Sequence, residues 1–550
     1  MPAQNILSDR HTFKILNMET ATVGSVGIHP NESHHQLVRN SDCNSVDESG
    51  DSITMRARTS GMTKLHWITV IILCYVNLIN YMDRFTVAGI LTDILKFYGV
   101  GYASGGLLQT AFVLSYMVFA PLFGYLGDRY NRKYIMASGI FLWSLTTLLG
   151  SYMNTYEWFL TCRALVGIGE ASYSTIAPTI ISDMFVKDMR SKMLAMFYFA
   201  IPVGSGLGYI IGSETGKAAG SWQWGLRVTP VMGIIAVVLV LFVMQEPNRG
   251  EAEGHSHLAP TSWMDDIKAL AKNRSFMLSS AGFTCVAFVA GALSWWGPMF
   301  IHYGLVLQPG HENDKIEDVS YLFGVIAMVA GLIGVPAGSL LATKLRPRYP
   351  KADPLICAFG LLASTPLLFV GAIFARSSEA ICYTSLFFGQ LFLNLNWSIV
   401  ADMLLYVVVP TRRSTAEAFQ ILGSHALGDA GSPYIVGLIS DALIRFLSRS
   451  STSKLPAAVS LVEFSSTMSS LEAPTPDEAC PQGVEPQVCF HSLQYSLFMP
   501  LFVEVLGGLF FILTAMYIVR DRSRVEALTA AVSEEYVMRS QVVPLIANRE

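Results

Sequence analysis

The chain has 550 residues, of which 52% are hydrophobic and only 14% charged, with a formal net charge of −4. A mean hydropathy of +0.43 excludes an ordinary water-soluble domain. The net charge decides little, because position matters more than sum, and no nucleic-acid partner is expected. In chain order, residues 1–60 are polar and lack an apolar core of signal-peptide length, so they read as a disordered cytosolic tail. Apolar runs of about 20 residues then recur, each long enough to span the hydrocarbon as a helix, about twelve in all. The first six fall in an N-terminal bundle over 61–245: Trp67–Leu91, Gly105–Leu126, Tyr134–Tyr152, Trp158–Met184, Met193–Gly212 and Val228–Met244. Residues 246–275 form a cytosolic linker, in which Trp263–Ala271 is a short amphipathic run. The second six fall in a C-terminal bundle over 276–520: Phe276–Tyr303, Tyr321–Thr343, Pro354–Ala375, Ile381–Val409, Ala416–Leu443 and Leu497–Val519. A long luminal loop spans 444–492, and 521–550 form a cytosolic tail. The fold class expected is an all-α membrane protein of 12 transmembrane helices in two pseudo-symmetric six-helix bundles.

Basic residues set the orientation. Arg129, Arg132 and Lys133; Lys187, Arg190 and Lys192; Lys344, Arg346, Arg348 and Lys351; and Arg412 with Arg413 cluster on alternate loops. The opposite loops hold few until the long last one, which places both termini in the cytosol. Of the eight cysteines, Cys74, Cys162, Cys285, Cys357 and Cys382 fall within spans and read as buried thiols. Cys480 and Cys489 share the long luminal loop, where the compartment permits a disulfide. Metal-site spacing is absent from the sequence.

The halves repeat one plan. Ile176 to Gly212 runs from Asp183 through a basic loop with Arg190 to Pro202 and a Gly-rich helix. Trp397 to Gly437 runs from Asp402 through a basic loop with Arg413 to Gly428, Gly431 and Pro433. Such an internal repeat, at an offset of roughly 220 residues, suits a carrier with its substrate site between the halves.

Charges inside the spans carry the chemistry. Arg163 and Glu170 are seven positions apart on one span, so they share a helix face about 10 Å apart along the axis. An ionised group at that depth costs several kcal/mol unless it meets a partner or a wet cavity, roughly 3 kcal/mol on insertion scales. Arg163 offers a permanently charged planar fork suited to phosphate. Glu170, desolvated on an apolar helix, is suited to loading and releasing a proton. Asp83 and Arg84 are adjacent, point about 100° apart, and cannot serve one face, so one faces the cavity and the other a neighbouring helix. Structural pairs, Asp83 with Arg163 or Arg84 with Glu170, compete with function only if they never break. His425 is a weaker titrating candidate, and Asp429 has an open cavity role. Trp295 and Trp296 read as an interfacial anchor for the seventh span.

Between the second and third spans stands Gly124-Tyr-Leu-Gly-Asp128-Arg129-Tyr-Asn131-Arg132-Lys133. It resembles the signature of the major facilitator superfamily, which implies that Asp128, Arg129 and Arg132 gate the cytosolic ends. Asn131 replaces the usual glycine, and a left-handed turn is expected to survive there. Asp183, Arg190, Asp402 and Arg413 join this gating set. The stretch Gly338-Ser-Leu-Leu-Ala-Thr-Lys344 lacks the acid, which makes the lock look one-sided.

A longer resemblance covers nearly all of 66–520. Asn80-Tyr-Met-Asp83-Arg84-Phe-Thr-Val-Ala-Gly, Gly169-Glu170-Ala-Ser-Tyr-Ser, Tyr198-Phe-Ala-Ile-Pro-Val-Gly-Ser-Gly, Asn396-Trp-Ser-Ile-Val-Ala-Asp402 and His425-Ala-Leu-Gly-Asp429 are similar to the spinster family. The resemblance implies a late-endosomal or lysosomal carrier of sphingolipids or lysophospholipids, working by alternating access. It also implies coupling to H+, with Asp83 and Glu170 handling the proton and Arg163 essential; no other cofactor is expected. Arg163, Glu170, Asp83 and Arg84 form the expected substrate site. A plasma-membrane location is the alternative, because relatives export sphingosine 1-phosphate there. Rival readings are a polar-solute carrier, kept alive by Gln109, Gln390, Asn394 and Asn396, and a non-transporting receptor or scaffold. Enzyme activity is not expected, as no triad, metal set or phosphate loop appears.

Overall fold

A computed structural model describes residues 64–185, 187–247, 263–312, 314–409, 412–452 and 485–547. The expected N-terminal tail and most of the long loop lie outside them. Helices α1 (Lys64–Gly89), α2 (Leu91–Tyr98), α3 (Tyr102–Arg129), α4 (Arg132–Gly150), α5 (Tyr156–Met184), α6 (Lys187–Ala219) and α7 (Gln223–Phe242) build the first half. The linker contributes α8 (Trp263–Lys272). The second half holds α9 (Arg274–Val306), α10 (Ile316–Leu345), α11 (Ala352–Phe374), α12 (Glu379–Asn394), α13 (Asn396–Val407), α14 (Arg413–Ser424), α15 (Gly431–Thr452) and α16 (Pro486–Ala547). No strand occurs among the described residues. Nine helices there are long and apolar enough to cross a membrane on composition alone. The other crossings, α4, α5 and the α12–α13 pair, complete two six-helix bundles through their packing. α5 lies on α3 and α4, α4 on α7, and α12 on α10 and α11. A helix satisfies its interior backbone groups within its own segment, which is why helices serve as the crossings here.

Three local features differ from simple spans. The tenth crossing breaks at Leu395, where Asn394 Nδ2 donates to the Gln390 carbonyl at 2.8 Å and Asn396 Nδ2 to the Leu393 carbonyl at 2.9 Å. Amide side chains compete there for backbone carbonyls. The eleventh crossing carries one π turn, His425–Asp429, closed by Ala430 N–H to the His425 carbonyl at 2.9 Å. Finally, α16 continues unbroken to Ala547, so the expected C-terminal tail is helical. Arg522, Arg524, Glu526, Ala527, Leu528, Ala530 and Ala531 are good helix formers.

Two expectations are corrected. Asn131 is not left-handed; its φ is −63°, and its side chain accepts from Tyr134 N–H at 3.2 Å, making it the N-cap of α4. Asparagine is a preferred N-cap because that oxygen satisfies an orphan N–H. Trp295 and Trp296 are fully buried rather than interfacial anchors. Trp295 Nε1 donates to the Gly105 carbonyl of the other bundle at 3.0 Å, and Trp296 Nε1 to the Pro433 carbonyl at 2.9 Å. A buried indole N–H needs such a partner.

The linker helix docks on the second half. α8 packs on α9 and α14, and Arg412 Nε donates to Asp266 Oδ1 at 2.7 Å. Within the first bundle α4 and α5 approach closely at Gly169. A Cβ there would lie 2.7 Å from the Gly139 carbonyl oxygen and 2.8 Å from Trp143 N, both backbone atoms that cannot swing aside. Gly169→Ala should therefore lower thermal stability by about 1–3 kcal/mol, read as a fluorescence melt of the detergent-solubilised protein. An unchanged melt would show that the two helices can separate there without cost.

Candidate functional site

Asp83 and Arg84 diverge as adjacent helical residues must. Asp83, wholly buried, turns into the first bundle, where Thr147 Oγ1 donates to its Oδ2 at 3.1 Å and the Thr229 hydroxyl donates to its Oδ1. Arg163 Nη1 on α5 stands 4.0 Å from the same Oδ2, an ion pair rather than a hydrogen bond. Arg84 turns across the interface instead. Its Nη2 meets Asp429 Oδ2 at 2.5 Å, joining positions 345 apart in sequence. Gln109 Oε1, with the amide turned to face it, accepts from Arg84 Nε at 3.2 Å and Nη2 at 3.1 Å. The π turn sets His425 beside the same acid, Nδ1 to Asp429 Oδ1 at 2.8 Å. Of the two pairs weighed on sequence, Asp83 with Arg163 forms; Arg84 takes Asp429, and its bond to Glu170 does not occur.

Phe112 on α3 lies between the two arginines, with the guanidinium carbons of Arg84 and Arg163 at 5.2 and 5.0 Å from its ring centre. Such placements stabilise a buried cation by about 0.5–2 kcal/mol. They do not supply acceptors. Arg163 is 3% exposed, and its Nε and Nη2 have no hydrogen-bond partner. Glu170, buried on α5, leaves Oε1 without a donor. Its neighbour Ser174 donates to the Tyr116 hydroxyl at 3.0 Å, and the Tyr116 ring contacts His425 edge-on at 6.1 Å. Residues from both halves thus meet in one buried polar region, with donors on Arg163 and Asn80 and an acceptor on Glu170 unmatched.

The expected gating residues fall at the basic-loop end. Arg132, buried, bonds the Asp183 carboxylate, and its backbone N–H donates to Glu246 Oε1 at 2.9 Å. In the second bundle Arg346 Nε meets Asp353 Oδ2 at 2.8 Å, and its Nη2 meets Asp402 Oδ2 at 3.2 Å. A matching charge cluster therefore exists in the second half, built on Arg346 instead of an acid after the eighth crossing. Arg129 lies over the Tyr125 ring at 4.2 Å, and Arg413 Nε donates to the Val408 carbonyl at 3.3 Å. The side chains of Asp128 and Arg190 lie outside the described residues, as does Cys480. Cys489 is disulfide-bonded, and the cysteines expected within spans are free thiols.

Hydrogen bonds between the bundles gather at mid-depth and at the end opposite the basic loops. Ser320 Oγ donates to the Gly89 carbonyl at 3.0 Å, Thr110 Oγ1 to the Ala430 carbonyl at 2.6 Å, and Lys217 Nζ to Asp318 Oδ1 at 2.5 Å. Glu504 on α16 is an acid that the sequence reading missed: it is wholly buried with both carboxylate oxygens unpartnered. It carries the same signal as Glu170, a lone acid inside an apolar run. A cavity of about 50 Å³ inside the second bundle, lined by Val289, Leu293, Leu386, Leu497 and Leu501, is apolar and too small for an organic substrate.

Twelve crossing helices in two bundles, with charges meeting between them, define a membrane transporter. The sequence matches the Major Facilitator Superfamily model over residues 73–432. The chain is 59% identical over 486 residues to Protein spinster of Drosophila melanogaster, spanning 86% of this chain and 80% of that protein. It is 50% identical over 471 residues to Protein spinster homolog 1 of Homo sapiens, spanning 84% and 82%. The chain belongs to the spinster family of the major facilitator superfamily. In fold it resembles a bacterial homolog of the human lysosomal transporter spinster, solved inward-facing and unoccupied, with TM-score 0.70 and 19% identity over 84% of this chain and 99% of that one. The D-xylose-proton symporter matches at TM-score 0.58 and 13% identity, over 81% and 97%.

Proposed function

We propose that this transporter carries sphingolipids or lysophospholipids by alternating access, coupled to protons, in the late-endosomal and lysosomal membrane. The observation that carries the reading is Arg163, a buried guanidinium whose Nε and Nη2 lack acceptors. Leaving charged donors unmatched at that depth is costly, and a phosphate head supplies two oxygens in the fork geometry they require. Arg84, whose guanidinium also contacts the Phe112 ring, is the second cation, and movement of α3 would uncover both. The apolar tail would lie along the helix faces or in the bilayer. Protonation of Asp83 weakens the hold on Arg163, protonation of Glu170 removes a negative charge from the same buried region, and the Arg84–Asp429–His425 set, which joins the bundles, must break for them to rock.

A polar-solute carrier is less favoured. Gln109 serves Arg84, while Asn394 and Asn396 spend their amides on backbone carbonyls. The relative solved from bacteria is a homolog of a lysosomal transporter, which supports the compartment, and the basic loops support cytosolic termini. The present arrangement is joined at the outer end. Uptake into proteoliposomes tests the substrate class. Labelled lysosphingolipid or lysophospholipid should accumulate while xylose and nucleosides do not; uptake of the polar solutes alone would reverse the reading.

An acidic lumen also acts on the α9–α10 loop. His311 Nδ1 bonds Asp314 Oδ2 at 2.7 Å, and its Nε2 stands 3.8 Å from Glu379 Oε2 at the start of α12. The Asp314 bond holds the imidazole above its ordinary range. A raised folded-state pKa gives a contact fully present below the free histidine value and lost as pH rises through the folded one. The loop of the parent should therefore resist proteolysis better than that of His311→Gln at pH 5, with the difference gone at pH 8. Equal protection at pH 5 would dismiss this pin.

A further inference from the structure

We propose that Asp441 is the latch of the outer gate, a carboxylate on α15 of the second bundle that caps the N-terminus of α3 in the first. Tyr102 N–H donates to Asp441 Oδ1 at 3.0 Å and Ala103 N–H to Oδ2 at 2.8 Å. These are the first two amides of α3, which a helix cannot satisfy internally. The residue that should cap them, Gly101, has no side chain, and α3 accordingly has no cap bond of its own. The missing cap is supplied from the other half of the protein. Space confirms the fit: a Cβ on Gly101 would lie 2.9 Å from Asp441 Oδ2. One turn before Asp441, a Cβ on Gly437 would lie 2.3 Å from the Tyr102 carbonyl oxygen. Glycine at both positions is what lets the two helices close.

The energetics set this contact above the other charged one at the outer end. Lys217–Asp318 is solvent-exposed, its side chains 38% and 58% accessible, and such pairs contribute little. Asp441 brings a full negative charge to two N–H groups at the positive end of a helix dipole. When the halves separate, α3 loses its cap and the carboxylate loses both donors. The closed outer gate is thus favoured by an interaction that exists only in that state, which is the requirement for biasing a two-state equilibrium. The geometry makes Asp441 a positioning residue: it sets which side is open without touching substrate. This inference rests on the alternating-access reading but not on the identity of the lipid.

The test uses the full chain in lipid nanodiscs with spin labels at Asn154→Cys and Ser377→Cys, exposed positions in the outer α4–α5 and α11–α12 connections. The parent should show mainly the short outer distance. Asp441→Ala should raise the ratio of long to short distances about tenfold, the scale of a lost helix cap. If Asp441→Ala fails to fold, Asp441→Asn, which keeps one acceptor oxygen, should raise it about threefold. A folded Asp441 variant whose distances superimpose on the parent's overturns the latch. One fixed distance in parent and variants, with or without lipid, would instead reject alternating access. Failed lipid uptake with shifted distances would reject only the substrate.

Discussion

Glu170→Gln is expected to abolish gradient-driven accumulation while leaving exchange of labelled for unlabelled lipid across the same membrane. The amide keeps the size and hydrogen-bonding capacity of a protonated carboxyl, so the variant is fixed in the state that a loaded proton creates. It should fold, because Glu170 Oε1 satisfies no donor in the parent and no ion pair is lost. Counterflow needs only the loaded carrier to move in both directions. Net uphill transport needs the proton to leave, and glutamine has none to give. The expected result is a loss of accumulation by about tenfold or more with exchange within about threefold, a range set by general-base contributions of ~10²-fold or more. If Glu170→Gln concentrated lipid as the parent does, the switch would lie elsewhere, with Asp83 and Glu504 the next acids to test. A receptor or scaffold role would be favoured if the variant kept its cellular activity while transporting nothing.

The second large effect is at Arg163, where stability and transport should separate. Arg163→Ala leaves Asp83 buried with its two hydroxyl donors but no cation, and breaking a buried pair on one side costs about 3–5 kcal/mol. Loss of uptake in that variant alone would not distinguish a broken fold from a lost substrate site. The double variant Asp83→Asn with Arg163→Ala removes both charges and should recover most of the melting temperature. Uptake should stay at least about a hundredfold down, because the fork that receives the phosphate is gone. Arg163→Lys should retain the fold and lose uptake by about tenfold or more, since a point charge does not replace two parallel donors. Recovery of transport together with stability in the double variant would make Arg163 a structural cation only.

How much of this was legible in the sequence follows from the range of each signal. Hydropathy marks a span from its own residues, so the crossings were readable along with the charges inside them. Periodicity also separated Asp83 from Arg84, because adjacent helical residues diverge by geometry alone. The partner of Arg84 was not readable. Asp429 is 345 positions away, and nothing in either segment specifies the other. Trp295 and Trp296 show the opposite failure. A tryptophan pair near a helix end is the usual mark of the interface, and only the neighbouring α3 and α15 reveal carbonyls waiting inside. Asn131 was read by analogy with glycine, as a tolerant backbone, when its side chain was the relevant part. Glu504 was readable by the rule applied to Glu170. Asp441 was not, since an acid beside a long polar loop reads as solvated until another helix end is placed against it.

The Arg163–Asp83 pair and the Arg84–Asp429–His425 set now have different tasks. The first is internal to one bundle and holds a cation with donors to spare. The second joins the bundles and, on the alternating-access proposal, must part during each cycle. Glu170 lies in the same buried region, where a proton can alter the balance between them. The most direct test is simultaneous recording of lipid uptake and internal pH in proteoliposomes holding the parent protein, with and without an imposed pH gradient. Proton-coupled lipid transport requires that lysosphingolipid or lysophospholipid uptake rise with the gradient and that added lipid alone drive a proton flux. Uptake indifferent to the gradient, with no proton movement on adding lipid, would contradict it.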